Sequence, residues 1–341
     1  MKKTQVALAA LALVASTAAL ADGVTLYGTA DLSIVNTKSG TGMGGLGNSA
    51  GSIFGFRASE DLGGGLKAGA NFEGGVHMNT GLQGGNGAIA GNVFNRQANV
   101  TLGTDNIGLT VGTQLSPFIG GILTGATAVG GNGVFVPGIL RVAGGGSGLA
   151  EITTGSVGTQ GFFIPDAVNL NLAGSGFNAN VLYRVKPSQA AKESSYTAAN
   201  LSTSVAGINL AVAYQSQQTE AADSVSSIAL AANTNIGDVR LNAMVSDNRD
   251  KGATGNTNGY LLGVSTPIAG ALSAGLTYVN NTKLGSGSQT SASLQYDLSK
   301  RTHAYATYSS FSKESTGAAM ANDNAGQTGK YAIIVGLAHS F

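Results

Sequence analysis

Three histidines, His77, His303 and His339, are the only imidazoles in a chain of 341 residues that contains no cysteine. A metal centre built on histidine needs two of them on one face at short spacing, as in H-E-x-x-H. No pair here has that spacing. Serine, histidine and aspartate all occur, but no G-x-S-x-G elbow stands between a strand and a helix to expose a nucleophile. The glycine-rich runs "GNGAIAG" (85–91) and "GGGSGLAE" (144–151) lack the lysine that a phosphate-cradling loop uses. Asp247, Asn248 and Asp250 in "SDNRDK" offer oxygens to calcium, yet Arg249 and Lys251 lie within the run and favour a solvated loop. No metal, cofactor or catalytic residue is expected, and an enzyme is the least favoured reading.

The elements available to position side chains are strands. "GVTLYGTADLSIVN" puts Val24, Leu26, Gly28, Ala30, Leu32 and Ile34 on one face and Thr25, Tyr27, Thr29, Asp31 and Ser33 on the other. That is a period of two. Leu66, Ala68, Ala70 and Phe72 alternate with Lys67, Gly69, Asn71 and Glu73, and Ile208, Leu210, Val212 and Tyr214 alternate with Asn209, Ala211 and Ala213. The chain closes on the same pattern, with Tyr331, Ile333, Val335, Leu337, His339 and Phe341 in one row. No capped helical stripe is seen beyond the N-terminal leader. Short turn signals such as "EDLGGG", "TDNIG" and "NIGD" roughly alternate with longer connectors rich in Gly, Ser and Asn, as in an up-and-down barrel inserted from one side. Sixteen strands can be placed, among them 23–36, 93–103, 164–173 and 330–341. From Leu115 to Phe163 no strand is clear. That stretch carries only Arg141 and Glu151 as charges, with Phe118, Ile119, Ile122, Leu123, Val134, Phe135 and Val136 as apolar anchors, so it reads as a loop packed inside something.

Composition narrows the class. Lys2 and Lys3, an apolar run and Ala19-Leu20-Ala21 make a secretory signal peptide over 1–21, leaving 22–341 as one domain. Losing the two lysines takes the basic residues from 18 to 16 against 17 acidic ones, a balance that excludes a nucleic-acid binder. Charged residues make up 10% of the chain, against roughly 25% in ordinary globular proteins. A soluble exterior needs more charge than this. In hydrocarbon every backbone N–H and C=O must be paired within the protein, which a closed sheet achieves with strands. Tyr331 and Phe341 would then stand about 33 Å apart along the last strand, near the two membrane interfaces. A soluble sandwich or solenoid is the rival. The expected fold is all-β: a transmembrane antiparallel up-and-down β-barrel of about 16 strands, with 115–163 folded into the lumen.

In this order, "GVTLYGTADLSI", "FGFRASEDLGGGLKAGANFE", "FNRQANVTLG" with "GLTVGTQ", and the terminal "YAIIVGLAHSF" resemble the general-diffusion porins of Gram-negative outer membranes, in the branch typical of beta-proteobacteria. The resemblance covers the first hundred or so residues and the last dozen. It implies an outer-membrane homotrimer surrounded by lipid and lipopolysaccharide, a third loop acting as constriction, and passive diffusion of small hydrophilic solutes and ions. It also implies that the barrel-assembly machinery reads the terminal strand with Tyr331, Ile333, Val335, Leu337 and Phe341. In such channels basic wall residues face acidic loop residues. Arg57 matches the first wall arginine, and parity with Phe54, Phe56 and Ala58 puts it inside. Arg96 matches the second, but it shares a row with Ala98, Val100 and Leu102, so either that row lines the lumen near a contact between copies or a bulge intervenes. A third wall arginine is not visible where "FFIPDAVNLNLAG" has Asp166. Arg57, Arg96, Arg141, Glu151 and Asp166 are the expected pore-constriction charges, with a weak transverse field and mild selectivity. Two further readings are a channel selective for an uncharged solute and a plugged structural or adhesive barrel.

Overall fold

The computed structural model describes residues 23–45, 47, 49, 51–83, 93–126, 162–185, 195–219, 222–250, 256–282, 287–315 and 329–341. The leader at 1–21, Val134–Val136, Arg141 and Glu151 lie outside them. In chain order the strands are β1 (Gly23–Thr37), β2 (Gly40–Gly44), β3 (Ile53–Gly63), β4 (Leu66–Gly75), β5 (Gln97–Gly103) and β6 (Ile107–Leu115). A helix, α1 (Pro117–Ala126), follows. Then come β7 (Phe163–Gly174), β8 (Phe177–Arg184), β9 (Ser195–Val205), β10 (Ile208–Thr219), β11 (Ala222–Ile236), β12 (Val239–Asp250), β13 (Thr257–Ala269), β14 (Leu272–Thr282), β15 (Gly287–Asp297), β16 (Thr302–Ser315) and β17 (Gly329–Ser340).

Each strand from β3 onward pairs antiparallel with its successor, and β17 returns to β1. One edge of β1 carries β17 along Thr29–Thr37. The other carries β3 along Gly23–Thr29 and β2 along Ser33–Thr37, so β2 and β3 are two halves of one interrupted wall strand. The wall is a closed antiparallel barrel of sixteen strands. At the interruption a side chain replaces the missing ladder: the Ser52 hydroxyl accepts from the Asp31 amide at 3.1 Å and donates to the Asp31 carbonyl at 2.8 Å. Sequence patterning did not foresee β2, because "GTGMG" carries no alternation.

The two faces of the wall differ as the alternation requires. Leu26, Ile34, Val100, Leu170, Leu230, Ile333, Val335 and Leu337 all point outward and are exposed, while Asp31, Ser33, Asn99, Gln215, Asn233 and Ser293 lie buried on the inner side. Apolar groups on the outer face and polar ones on the inner face fit a wall with lipid outside and water inside. Closure is tight at the chain's last described residue. Phe341 and Gly28 exchange both backbone bonds, at 3.0 and 3.1 Å, and the Phe341 ring lies over Gly28 where any Cβ would collide with it.

α1 corrects the expectation that no helix follows the leader. Ser116 caps it, its hydroxyl accepting from the Phe118 amide at 3.2 Å, and Pro117 takes the first helical position, where its missing N–H costs nothing. Phe118, Ile119 and Ile122 form its buried face. They pack within the barrel against Ala198, Ala211, Ala213, Ala229, Ala231 and Met244, the largest buried apolar cluster among the described residues.

Candidate functional site

The inner wall is built from rows of cross-strand neighbours. Tyr27 of β1 registers with Gly55 of β3, and Gly55 with Glu73 of β4. Gly55 has no side chain, so the Tyr27 ring crosses it; a Cβ there would stand 2.8 Å from Tyr27 Cζ. The Tyr27 hydroxyl thereby reaches the next strand but one. It lies 3.0 Å from Glu73 Oε2 and 2.9 Å from Asn71 Oδ1. One register step along, Thr25, Arg57 and Asn71 form a parallel row. The Arg57 guanidinium carbon sits 5.5 Å from the centre of the Tyr27 ring, and the side chain is exposed on the inner face. Parity therefore placed Arg57 on the face where the structure has it.

Arg96 shows how its parity conflict is resolved. The β4–β5 ladder runs from Lys67 with Gly103 to Glu73 with Gln97 and stops there, so the strand expected over 93–103 begins only at Gln97. Arg96 is released from the outward row. Its amide bonds the Glu73 carbonyl at 3.1 Å, and its Nε meets Glu73 Oε1 at 2.6 Å. Its guanidinium carbon lies 4.4 Å from the centre of the Phe163 ring. The arginine side chain is 16% exposed and the glutamate 7%. Glu73 is thus the carboxylate that completes this cluster. It was legible as an inner-row residue, yet nothing in its spacing marked it as a partner for Arg96.

Asp166 does not join that cluster. β7 carries an irregularity there: the register shifts between Gly112 and Gln114, and Asp166 has a φ of 53°. The irregularity puts the Asp166 carboxylate beside Ala98, Val111, Val168 and Val185, residues of the outward rows, at an open groove of about 450 Å³, so the expectation that Asp166 lines the constriction is corrected. Arg184 Nη2 stands 3.9 Å from that carboxylate. Arg184, on the inner row of β8 and registered with Ala167, is a buried basic residue that sequence reading missed. It sits one strand later than where a third wall arginine was sought.

On the opposite arc of the ring the inner surface next to α1 carries no charge among the described residues. α1 lies against β9, β10, β11 and β12. Beside it runs a chain of amides. Asn171 Nδ2 donates to Asn180 Oδ1 at 3.0 Å, Asn180 Nδ2 donates to Asn178 Oδ1 at 2.8 Å and to Asn200 Oδ1 at 2.9 Å, and Asn200 Nδ2 donates to the Pro117 carbonyl at 2.8 Å. At the level of α1 the lumen is therefore bounded by a charged arc on β1, β3 and β4 and by a neutral arc of amides, alanines and α1, with Arg184 and Arg240 on the inward rows of β8 and β12 away from the helix. Of the terminal-strand residues, Ile333, Val335, Leu337 and Phe341 are exposed on the outer face, and Tyr331 shares their row. Arg141 and Glu151 lie outside the described residues. Among the described residues no group of acidic and histidine side chains is placed to hold a metal ion.

Comparison with known proteins gives consistent results. Residues 7–316 match the Gram-negative porin family. Outer membrane porin protein 32 of Delftia acidovorans is 39% identical over 123 residues, which is 34% of this chain and 33% of that protein. The match thus spans a third of that relative's length. Among solved structures, an anion-selective porin from Comamonas acidovorans superposes with a TM-score of 0.72 at 22% identity, over 94% of this chain and 99% of the other. The trimer form of OmpT from Vibrio cholerae gives 0.66 at 13% identity, over 94% and 99%. OmpF of Salmonella typhi, solved with daunomycin, gives 0.65 at 13%, over 93% and 97%. At these identities the solved structures share the fold with this chain.

Proposed function

The chain belongs to the Gram-negative porin family, and from that premise we propose that it serves as a water-filled channel through which small hydrophilic solutes and ions diffuse passively. It is an integral β-barrel of the outer membrane. The observation that carries the reading is the inversion of the wall, polar and hydrogen-bonding inside and apolar outside. A pore of this kind selects by width and by the field at its narrowest point. We place that point where α1, on the β9–β12 arc, faces the Tyr27, Arg57 and Glu73 cluster, with 115–163 as the constriction loop.

The field there is weak. Arg96 and Glu73 neutralise each other at 2.6 Å, which leaves Arg57 as the exposed charge of the cluster. Arg57 thus gives a mild preference for anions, which Arg141 on the loop strengthens and Glu151 opposes. The chain is exported by the leader 1–21 and assembles through Tyr331, Ile333, Val335, Leu337 and Phe341 as the strand that the barrel-assembly machinery engages. It functions as a homotrimer in outer-membrane lipid and lipopolysaccharide. Liposome swelling tests the central point. Vesicles containing the protein should swell in small sugars and progressively less in larger ones, and a planar bilayer should show ohmic current. No swelling and no current would end the diffusion reading.

A further inference from the structure

We infer that the inner face of β9 positions α1, and that Tyr196 and Asn200 set how far the helix stands into the lumen. The functional consequence rests on the diffusion-channel reading; the geometry does not. Tyr196, Ala198 and Asn200 follow one another along the inward row of β9. The apolar contact between α1 and the wall is extensive; its centre on β9, β10 and β11 is alanine, Ala198, Ala211, Ala213, Ala229 and Ala231, with larger side chains such as Leu182 and Met244 on the flanking strands. The alanine floor is smooth, and apolar attraction has no direction. It holds a helix down without fixing where the helix lies.

Two polar tethers supply the missing direction. The first is a relay through Tyr196, which is wholly buried. The Phe118 amide donates to Ser116 Oγ at 3.2 Å, Ser116 Oγ and Tyr196 Oη lie 2.7 Å apart, and Tyr196 Oη donates to Gln215 Oε1 at 2.8 Å. Tyrosine has one hydroxyl hydrogen, committed to Gln215, so the Ser116 hydroxyl donates to Tyr196. The relay joins the helix cap to β10. The second tether is Asn200. Asn180 donates to its carbonyl oxygen at 2.9 Å, which turns its amide nitrogen toward the Pro117 carbonyl at 2.8 Å. Asn180 thus orients Asn200, and Asn200 holds the first turn of the helix.

The steric side agrees. Gly121 is pressed so close that a Cβ on it would stand 2.9 Å from Asn200 Cβ and 3.2 Å from Ala213 Cβ. The helix has no room to move closer to the wall, and the tethers keep it from moving away.

The test uses the full-length protein with Tyr196→Phe and Asn200→Ala combined, which keeps the ring and the strand but removes both tethers. In a planar bilayer the double variant should show greater open-channel noise than the parent and should admit larger polymers, while its unheated gel mobility stays that of a folded barrel. A second readout needs no current. Hydrogen exchange of the folded protein, read by mass spectrometry on peptides that cover α1, should be several-fold faster at the first turn of the helix with both tethers removed than in the parent. Parental noise, polymer cut-off and exchange rate in the double variant would overturn the inference. A parent that never conducts would defeat the channel reading instead, and the exchange rates would still decide the tethers.

Discussion

Replacing Arg96 by serine separates the contribution of the Glu73 pair from that of the surrounding strand. The substitution keeps the backbone bond from residue 96 to the Glu73 carbonyl and removes a guanidinium whose Nε stands 2.6 Å from Glu73 Oε1. Breaking a buried ion pair from one side costs about 3–5 kcal/mol, because a charge is left without compensation. Two features lower that figure. Glu73 keeps the Tyr27 hydroxyl at 3.0 Å, and the arginine is 16% exposed, so water screens part of the pair. The expected loss is about 2–4 kcal/mol. The contact of the guanidinium with Phe163 adds about 0.5–1 kcal/mol, which is lost in both Arg96→Ser proteins and so cancels in a double-mutant cycle. Glu73→Gln combined with Arg96→Ser should therefore be more stable than the two single losses sum to, with a coupling of about 2 kcal/mol. Urea unfolding in lipid vesicles, followed by circular dichroism, reads all four corners. Bilayer reversal potentials add a sign: Arg96→Ser uncovers a carboxylate and should move preference toward cations, and Glu73→Gln should move it toward anions. Additive stabilities, within about 0.5 kcal/mol, would refute the pairing.

Arg57→Ser should also shift the reversal potential toward cations, yet leave stability within about 0.5 kcal/mol, because the side chain is exposed and its loss buries nothing unpaired. Gly28→Val should destabilise the closed barrel by about 1–3 kcal/mol through overpacking, since a Cβ there meets the Ile53 carbonyl at 2.7 Å and the Phe341 ring; unfolding titrations and the heat-shifted gel band would report it. Tyr305→Phe removes a hydroxyl that donates to the buried Asp31 carboxylate at 2.6 Å and should cost about 1.5–3 kcal/mol in the same titration; an unchanged midpoint would contradict that assignment.

Much of the wall was legible because alternation is a local property. The rows Leu26 to Ile34, Leu210 to Tyr214 and Ile333 to Phe341 are all on the outer face, and Tyr27, Asp31 and Arg57 lie inward as parity required. What escaped reading was non-local or irregular. The gap between β2 and β3 depends on Ser52 meeting Asp31, a contact across 21 residues. The helix signal Ser116-Pro117 was present, but the Gly120-Gly121 pair that follows weakens a helical pattern, and its need is visible only against Asn200 and Ala213. Arg96 follows no alternation because its ladder ends one residue later, at Gln97. Glu73 and Arg184 stood in regular inner rows, where a charge looks the same whether it faces water or a buried partner.

A channel of this kind requires above all that neighbouring residues of one strand face two different media. The chain has no tryptophan, so a single introduced indole reports its own surroundings. Leu170 and Asn171 are consecutive on β7, the first exposed outward and the second bonded to the inner amides. In vesicles, fluorescence of the Leu170→Trp protein should be quenched by lipid brominated along its acyl chains and spared by aqueous iodide, with the reverse for Asn171→Trp. Quenching of both from the same side would contradict the account.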